Sequence, residues 1–274
     1  MNFASAIDDH EEKVTHILRG IDLKISDERQ GYIYKYLNWI YPKTMYHGKL
    51  LVQGIKSTSQ TKKLIEEGKL NGWDDPRLGT IQSLRRRGFR AEAIKKFHRE
   101  IGLSRSDINV SIDTLAAFNR GIIDKEANRY FLILNPKKIK IKNAPKMKTK
   151  IELHPDMPKK GFRNFETKDE FYVEDKLEKN KVYRLMHLFN FKNNEFYSAE
   201  LDKELNAKLI HWLPASKDLV TVEVVMDDAS VVKGFGEEEL KKVKVDQIVQ
   251  FERKFFARCD KKDKDKIVFY YLHR

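Results

Sequence analysis

Cysteine is almost missing from this chain: Cys259 stands alone among 274 residues. One thiol excludes an internal disulfide and a zinc site built on a cysteine cluster, and it suits a reducing compartment. No protein-bound zinc or other metal is expected, and the thiol should be buried and inert. No apolar run approaches the ~20 residues of a membrane-spanning helix. No leader-like stretch precedes the acidic pair Asp8-Asp9, so a cytoplasmic location without a membrane partner is expected. Acidic residues are also in short supply, 41 against 54 lysines and arginines, for a formal charge of +13. That excess favours a polyanionic partner. The plainer alternative is a merely soluble basic surface.

At 41% apolar content the chain can bury real cores, and its length suggests about two domains. The charge is spread: residues 1–130 carry 23 basic and 17 acidic side chains, and residues 131–274 carry 31 and 24. Both halves could therefore touch one long ligand.

Three regions follow from local signals. In residues 1–70, Phe3, Ser5 and Ile7 alternate as in a strand over Asn2 to Ile7, Val14 to Leu18 reads as a second strand, and Ser26 as the cap of a helix through Tyr32, Ile33, Tyr36 and Leu37. Residues 71–130 turn helical. Ala91, Ile94, Phe97 and Ile101 share a face before Gly102, and Ser111 caps a helix carrying Ile112, Leu115 and Phe118. Residues 131–274 break into short strands, including Val220 to Val225, Ser230 to Lys233, Ile248 to Phe251 and Ile267 to Tyr271, which favours a barrel or sandwich. No internal repeat is evident. Asn135 to Lys150 holds seven lysines and no acid. It is either a solvated linker with lysine-blocked edges or a phosphate-neutralising surface.

The turn Gly72-Trp73-Asp74-Asp75-Pro76-Arg77-Leu78, followed by Arg85-Arg86-Arg87-Gly88, combines backbone punctuation, a flat apolar face and cations suited to phosphate. Alone it could be a surface loop pinned by a half-buried Trp73. The whole run resembles the segment after the signature loop in glutamyl- and glutaminyl-tRNA synthetases, class I enzymes of the archaeal and eukaryotic type. Other stretches are similar to landmarks of the same family: MNFASAIDDHEEKVTHILR at the start, QGIKSTSQTKKL at Gln53 to Leu64, NRGIIDKEANRYF at Asn119 to Phe131, HPDMPKKGFR at His154 to Arg163, KVYRLMHLFN at Lys181 to Asn190, IHWLP at Ile210 to Pro214 and VQFERKFFARCD at Val249 to Asp260.

The resemblance implies the second half of a class I nucleotide-binding, Rossmann-like domain (1–70), a helical connector (71–130) and two anticodon-binding β-barrels (131–274), a multidomain α/β plus all-β fold. None of the eight histidines stands in the family's His-x-Gly-His loop. The chain thus resembles the C-terminal portion of a glutamate–tRNA ligase that needs an N-terminal catalytic half. That half is expected as a separate chain, and this chain should be inactive alone. A noncatalytic tRNA-binding protein of the same descent is the main alternative, and a glutamine-specific ligase fragment the third.

The implied chemistry joins glutamate to ATP, with magnesium, and then passes the acyl group to a glutamate-accepting tRNA. Both steps need cations and N–H donors at phosphate, and a cation at the substrate side chain. Arg19 matches the family arginine that holds the glutamate side chain. Asp8 and Asp9, at the end of the expected first strand, could orient a ribose, an ammonium or an arginine, or cap the next helix. Met1 and Ser5 fall where the family has a Tyr and often a polar partner. Ser57, Thr58 and Ser59 match the ATP-closing loop, or cap a helix over Thr61 to Gly68. Gln60 stands where the family has its catalytic lysine, and Lys56, Lys62 and Lys63 flank it. Trp73, Arg77, Arg85, Arg86, Arg163 and Arg184 are expected at tRNA, with Arg163 reading an anticodon base. Of the barrel-region candidates, Arg184 and Arg253 are the weaker ones. Trp212 is expected in the core.

Overall fold

The computed structural model describes residues 2–52, 57–264 and 266–274. Among these the chain forms six α-helices and twenty strands. The first element is a correction: Asn2–Glu11 is a helix, α1, where a strand was expected over its first residues. An alternation of three residues is too short to set a period, and Ala4 and Ala6 are strong helix formers. Helical spacing puts Ala6 and His10 on one side, Ala6 fully buried and His10 stacked on Trp39 with ring centroids 3.6 Å apart.

Strand β1 (His16–Gly20) then leads through a short 3-10 turn into α2 (Lys24–Tyr36), and β2 (Lys43–His47) returns parallel to β1. This βαβ unit has Arg19 beside Tyr46 in register. Strand β1 begins two residues after the expected Val14. The cap expected at Ser26 falls inside α2, because the preceding turn feeds the helix directly and leaves Leu23 at its N-cap.

Strand β3 (Leu50–Val52) pairs in parallel with β4 (Ile108–Val110), and between them lie α3 (Thr58–Glu66), α4 (Ile81–Arg87) and α5 (Ala91–Ile101). Gly88, at φ 109°, supplies the left-handed residue that ends α4, and Gly102 ends α5 as the sequence predicts. Ser111 caps α6 (Ile112–Ile123) by accepting from the Asp113 N–H. Leu84, Phe89, Phe97, Leu115 and Ile123 share one core with Ile248, Phe256 and Leu272, so the helical region is fastened to the C-terminal strands.

Two short strands follow, β5 (Asn128–Tyr130) and β6 (Leu132–Leu134). Next come β7 (Lys137–Lys140), β8 (Lys148–Glu152), β9 (Phe162–Glu166), β10 (Glu170–Val173), β11 (Val182–Leu185), β12 (Asn190–Lys192), β13 (Glu195–Ser198), β14 (Lys208–Ile210) and β15 (Leu213–Pro214). The chain ends on β16 (Val220–Val225), β17 (Val231–Gly236), β18 (Ile248–Phe251), β19 (Phe255–Lys262) and β20 (Lys266–His273).

The β units are nested rather than consecutive. A seven-stranded sheet runs β5-β18-β19-β20-β16-β17-β6. Its two edges are separated in sequence by Phe131 alone, and β7 to β15 form an insertion between β6 and β16. One extended segment serves two cores. Tyr130 and Leu132 face the core of the seven-stranded sheet, while Phe131 and Ile133 face that of the insertion, where Trp212, Phe171 and Phe189 are fully buried. The two-residue period of a strand makes this possible. Lysine-rich β7 lies at the edge of the sheet β15-β10-β7. Lys138 and Lys140 pair there with Glu170 and Asp169, and Lys148 on β8 pairs with Glu166.

Candidate functional site

Arg19 projects from β1 into a tight polar network. Its Nη1 donates to Gln30 Oε1 at 2.8 Å and lies 3.3 Å from Asp27 Oδ1. Asp27, on α2, accepts from Tyr41 Oη at 2.6 Å, Thr44 Oγ1 at 3.1 Å and Tyr46 Oη at 2.5 Å. Burial pushes the Asp27 carboxyl up, but these three hydroxyl donors and the Arg19 charge outweigh it and hold the group below the usual carboxylate range. A guanidinium tethered at one nitrogen can offer its other N–H donors to a substrate carboxylate. Sequence reasoning missed Asp27 and Gln30, although Arg19, Asp27 and Gln30 are brought together by a single βα unit.

Asp8 and Asp9 lie within α1 rather than at a strand end, so neither caps the next helix. Neither pairs with Arg19 among the described residues. Met1 lies outside the described residues.

Much of the outer surface of this unit, including the face of α2 turned away from the network, is apolar and open. Phe3, Leu18, Leu23, Ile25, Tyr32, Tyr36 and Ile40 are all exposed, Tyr36 at 84% and Ile40 at 94%. Beside β1, where the βαβ unit meets α5, an apolar cleft of about 570 Å³ is lined by Leu18, His47, Leu51, His98 and Leu103. Parallel strands are normally covered on both faces and flanked by further strands. Of the exposed apolar residues only Leu18 lies on these strands; Ile25, Tyr32 and Tyr36 lie on α2.

Of the signature-like loop, Gln53 to Lys56 lie outside the described residues. Ser57 caps α3, accepting from the Gln60 N–H at 3.3 Å, so the helix begins at Thr58 rather than Thr61. Ser57, Thr58, Ser59 and Gln60 are exposed together on its first turn. Lys62 and Lys63 approach Glu66 and Glu67 at 3.8 and 3.9 Å, one turn away from Gln60's end of the helix.

The Gly72-to-Gly88 segment divides its cations. Asp75 is fully buried and receives both Nε and Nη2 of Arg77 at 2.8 Å, with the backbone N–H groups of Asn71 and Arg77. The Arg77 hydrogen bonds, ahead of the burial that opposes them, hold the Asp75 carboxyl at about 2. Arg77 was expected to face phosphate; instead its fork closes the turn, and its Nη2 also reaches the Lys69 carbonyl.

In the triplet on α4, the 100° step of a helix sends each arginine a different way. Arg85 is exposed and makes no ion pair among the described residues. Arg86 lies over the Tyr270 ring at 4.5 Å and pairs with Asp74 and Asp260. Arg87 is buried, donating to the Leu272 carbonyl at 2.7 Å. Trp73 is 37% exposed.

Arg163 is the largest departure from expectation. It is 1% exposed, donates to Glu237 Oε1 at 2.8 Å and Glu252 Oε2 at 2.5 Å, and stacks on Phe131 at 4.5 Å. A guanidinium so enclosed is a clamp between the inserted unit and the seven-stranded sheet, not a group presented to a base. Its partners lie 74 and 89 residues away, and no local signal could have named them. Arg184 is likewise turned inward, bonding Asn190 Oδ1 and the Leu188, Ala199 and Glu200 carbonyls. Arg253 remains exposed. Trp212 is fully buried, donating to the Met186 carbonyl. Cys259 is buried, and burial pushes its thiol up to about 11.

The chain is thus a βαβ unit with a tethered arginine, a helical region and nested β units, and comparison with known proteins identifies its family. Residues 1–125 match the catalytic domain of the class I tRNA synthetases for E and Q, and residues 127–210 and 209–260 match two anticodon-binding domains of the same group. The chain belongs to the glutamyl/glutaminyl family of class I tRNA synthetases. Over its whole length it is 44% identical to the glutamate–tRNA ligase of Methanocaldococcus jannaschii, covering 52% of that protein. It is also 44% identical to that of Pyrococcus abyssi and 42% to that of Methanosarcina barkeri, covering 51% and 50%. The chain therefore spans about half the length of the relatives it matches.

Proposed function

We propose that this chain is the C-terminal part of a glutamate–tRNA ligase, which attaches glutamate to its tRNA at the expense of ATP once joined by an N-terminal catalytic half. The observation that carries this is Arg19, tethered at one nitrogen by Gln30 and Asp27, on a two-stranded βαβ unit whose helix also bears exposed apolar residues on its outer face. An N-terminal half bearing a His-x-Gly-His loop would extend the β1–β2 sheet, cover that face and complete the triphosphate pocket. Arg19 would take the glutamate side chain, and Ser57, Thr58 and Ser59 with the first turn of α3 would approach ATP. Magnesium would ride on the triphosphate. Such a magnesium ion gives up its water reluctantly, so its ligands would be mainly phosphate oxygens and water.

The two β units, one with its edge strands β5 and β6 joined in sequence through Phe131, would act as the anticodon-binding barrels. Trp73, Arg85, Arg253 and the unpaired lysines of the Asn135 to Lys150 segment are the groups left facing outward for tRNA. Arg77, Arg86, Arg163 and Arg184 would support that surface from behind. The protein would work in the cytoplasm, where tRNA is charged.

The test is reconstitution. The chain alone should show neither glutamate-dependent pyrophosphate exchange nor tRNA charging, and both should appear when a polypeptide with the His-x-Gly-His half is added. Arg19→Ala should abolish the restored activity and leave tRNA binding intact. Charging by the chain alone would overturn the proposal.

A second reading, a noncatalytic tRNA-binding protein, is favoured by one observation. Gln60 is exposed where a cation is expected, and Lys62 and Lys63 lean toward Glu66 and Glu67. A missing cation at developing charge costs roughly 3 kcal/mol of barrier. Gln60→Lys in the assembled pair should therefore raise exchange about a hundredfold; an assembled pair that stays inactive with Gln60→Lys would favour the noncatalytic role.

A further inference from the structure

Arg19 is held from one side only. Gln30 Oε1 and Asp27 Oδ1 both take Nη1, and no partner for Nε or Nη2 exists among the described residues. Asp27 is itself held rigidly, because its two oxygens accept hydroxyl donors from three residues, Tyr41, Thr44 and Tyr46, two of them on β2. Tyr46 is also the register partner of Arg19 across the parallel pair. The network thus ties α2, β1 and β2 together at the base of the guanidinium and leaves its far edge unengaged.

We infer that Asp27 and Gln30 are positioning residues that fix the Arg19 guanidinium in one orientation, so that its free edge accepts a substrate carboxylate and rejects the matching carboxamide. This rests on the proposal that Arg19 holds the glutamate side chain. A planar fork offers only donors, so a carboxylate satisfies it with both oxygens, whereas a carboxamide must turn an NH2 group toward N–H donors. That mismatch discriminates only if the fork cannot rotate away from it, since a site enforces polar selectivity when its groups are left unpaired by the wrong ligand. Asp27 and Gln30 supply the restraint. Tyr41, Thr44 and Tyr46 keep Asp27 an acceptor with no freedom to swing toward the ligand.

The experiment uses the chain assembled with its N-terminal half, and measures pyrophosphate exchange with glutamate and with glutamine. Asp27→Asn places an amide NH2 among hydroxyl and guanidinium donors, so kcat/KM for glutamate should fall about tenfold, nearly all of it in KM. The glutamate-to-glutamine ratio should fall by a similar factor, with KM for ATP and tRNA within about twofold of the parent. Gln30→Ala, which leaves the Asp27 hydroxyl network untouched, should give the same pattern at about threefold and carries the test should Asp27→Asn not fold. Rotational exchange of the Arg19 Nη groups by NMR, in the chain alone, should be slow in the parent and fast in both variants.

Equal losses for glutamate, ATP and tRNA would mark a merely structural role and overturn the inference, as would unchanged Nη exchange. An Arg19→Lys variant with unaltered KM for glutamate would instead overturn the role of Arg19, and the inference with it. If Arg19→Lys raises that KM while Asp27→Asn and Gln30→Ala leave the ratio unchanged, the role of Arg19 stands and the positioning claim fails.

Discussion

Arg163 and Glu237 meet at 2.8 Å with 1% and 2% of their side chains exposed, joining the inserted β unit to the seven-stranded sheet. Glu237 Oε1 also accepts the Phe131 N–H, the residue through which the two cores touch. Burial pushes the Glu237 carboxyl up to about 7 against the pull of Arg163. Removing one partner of such a pair leaves an uncompensated buried group, which typically costs about 3–5 kcal/mol. Because Glu237 can take up a proton when Arg163 is gone, Arg163→Ala should lose roughly 3 kcal/mol, at the low end of that range. Urea unfolding measures this. Affinity for tRNA should fall equally for a cognate tRNA and one with an altered anticodon; a loss confined to the cognate would return Arg163 to base reading.

The C-terminal histidine makes a pH prediction. His273 accepts at Nε2 from Asn119 Nδ2 at 3.1 Å and donates from Nδ1 to the Arg274 carbonyl at 3.0 Å, while Asn119 Oδ1 is held by the Arg90 N–H. An imidazolium has no place here, since turning Asn119 would break its bond to Arg90. Burial lowers the His273 pKa to about 4. The unfolded chain then binds the extra proton between pH 6.5 and 4, so this group's stability is complete above 6.5 and is lost as pH falls toward 4, on the order of 3 kcal/mol in all. His273→Gln should flatten that part of the curve measured by urea midpoints at pH 7.5 and 5. Some slope will remain from His211, which burial, then Lys254, also lowers to about 4.

Binding of tRNA should weaken steeply with salt, as expected when phosphates displace counterions. Arg85 is exposed and makes no ion pair among the described residues, so Arg85→Ala should reduce the slope of log affinity against log salt by about 1. Arg77→Ala should act differently. It leaves the buried Asp75 without its main partner and should cost about 2 kcal/mol of stability, with a smaller change in salt slope. Identical slopes for the two variants would show that Arg77 also meets phosphate.

The bare face on α2 and beyond should make the isolated chain self-associate. Ile40→Lys with Tyr36→Lys should lower light scattering at high concentration, because charge replaces two of the most exposed apolar groups. The same double variant should assemble poorly with the N-terminal half. Undisturbed assembly would place that half elsewhere.

Much of the helical connector was legible. Ala91 to Ile101 repeats every three or four residues and stops at a glycine, and Ser111 precedes its helix as a hydroxyl cap, so local spacing and capping carry enough information. The strand Val220–Val225 alternates buried and outward residues without a break. The start of the chain misled because its alternation is only three residues long and its neighbours are alanines. The sites divided the same way. Arg19 stood out as a candidate within the stretch around it, but the groups that restrain it did not.

The order of residues alone determined the family, the lone thiol and several element boundaries, such as Val220–Val225, Ile248–Phe251 and the stop at Gly102, since such boundaries depend on contacts within a few residues. Tertiary structure decided which cations face outward. Arg85, Arg86 and Arg87 are identical in sequence, yet Tyr270, Asp260 and the Leu272 carbonyl sort them into exposed, half-buried and buried. It also decided that Arg163 clamps two β units and that the units are nested, with β5 and β6 completing a sheet begun almost a hundred residues later. The reason is physical: a guanidinium goes wherever carboxylates and carbonyls converge, and that convergence depends on strands whose pairing no local pattern encodes.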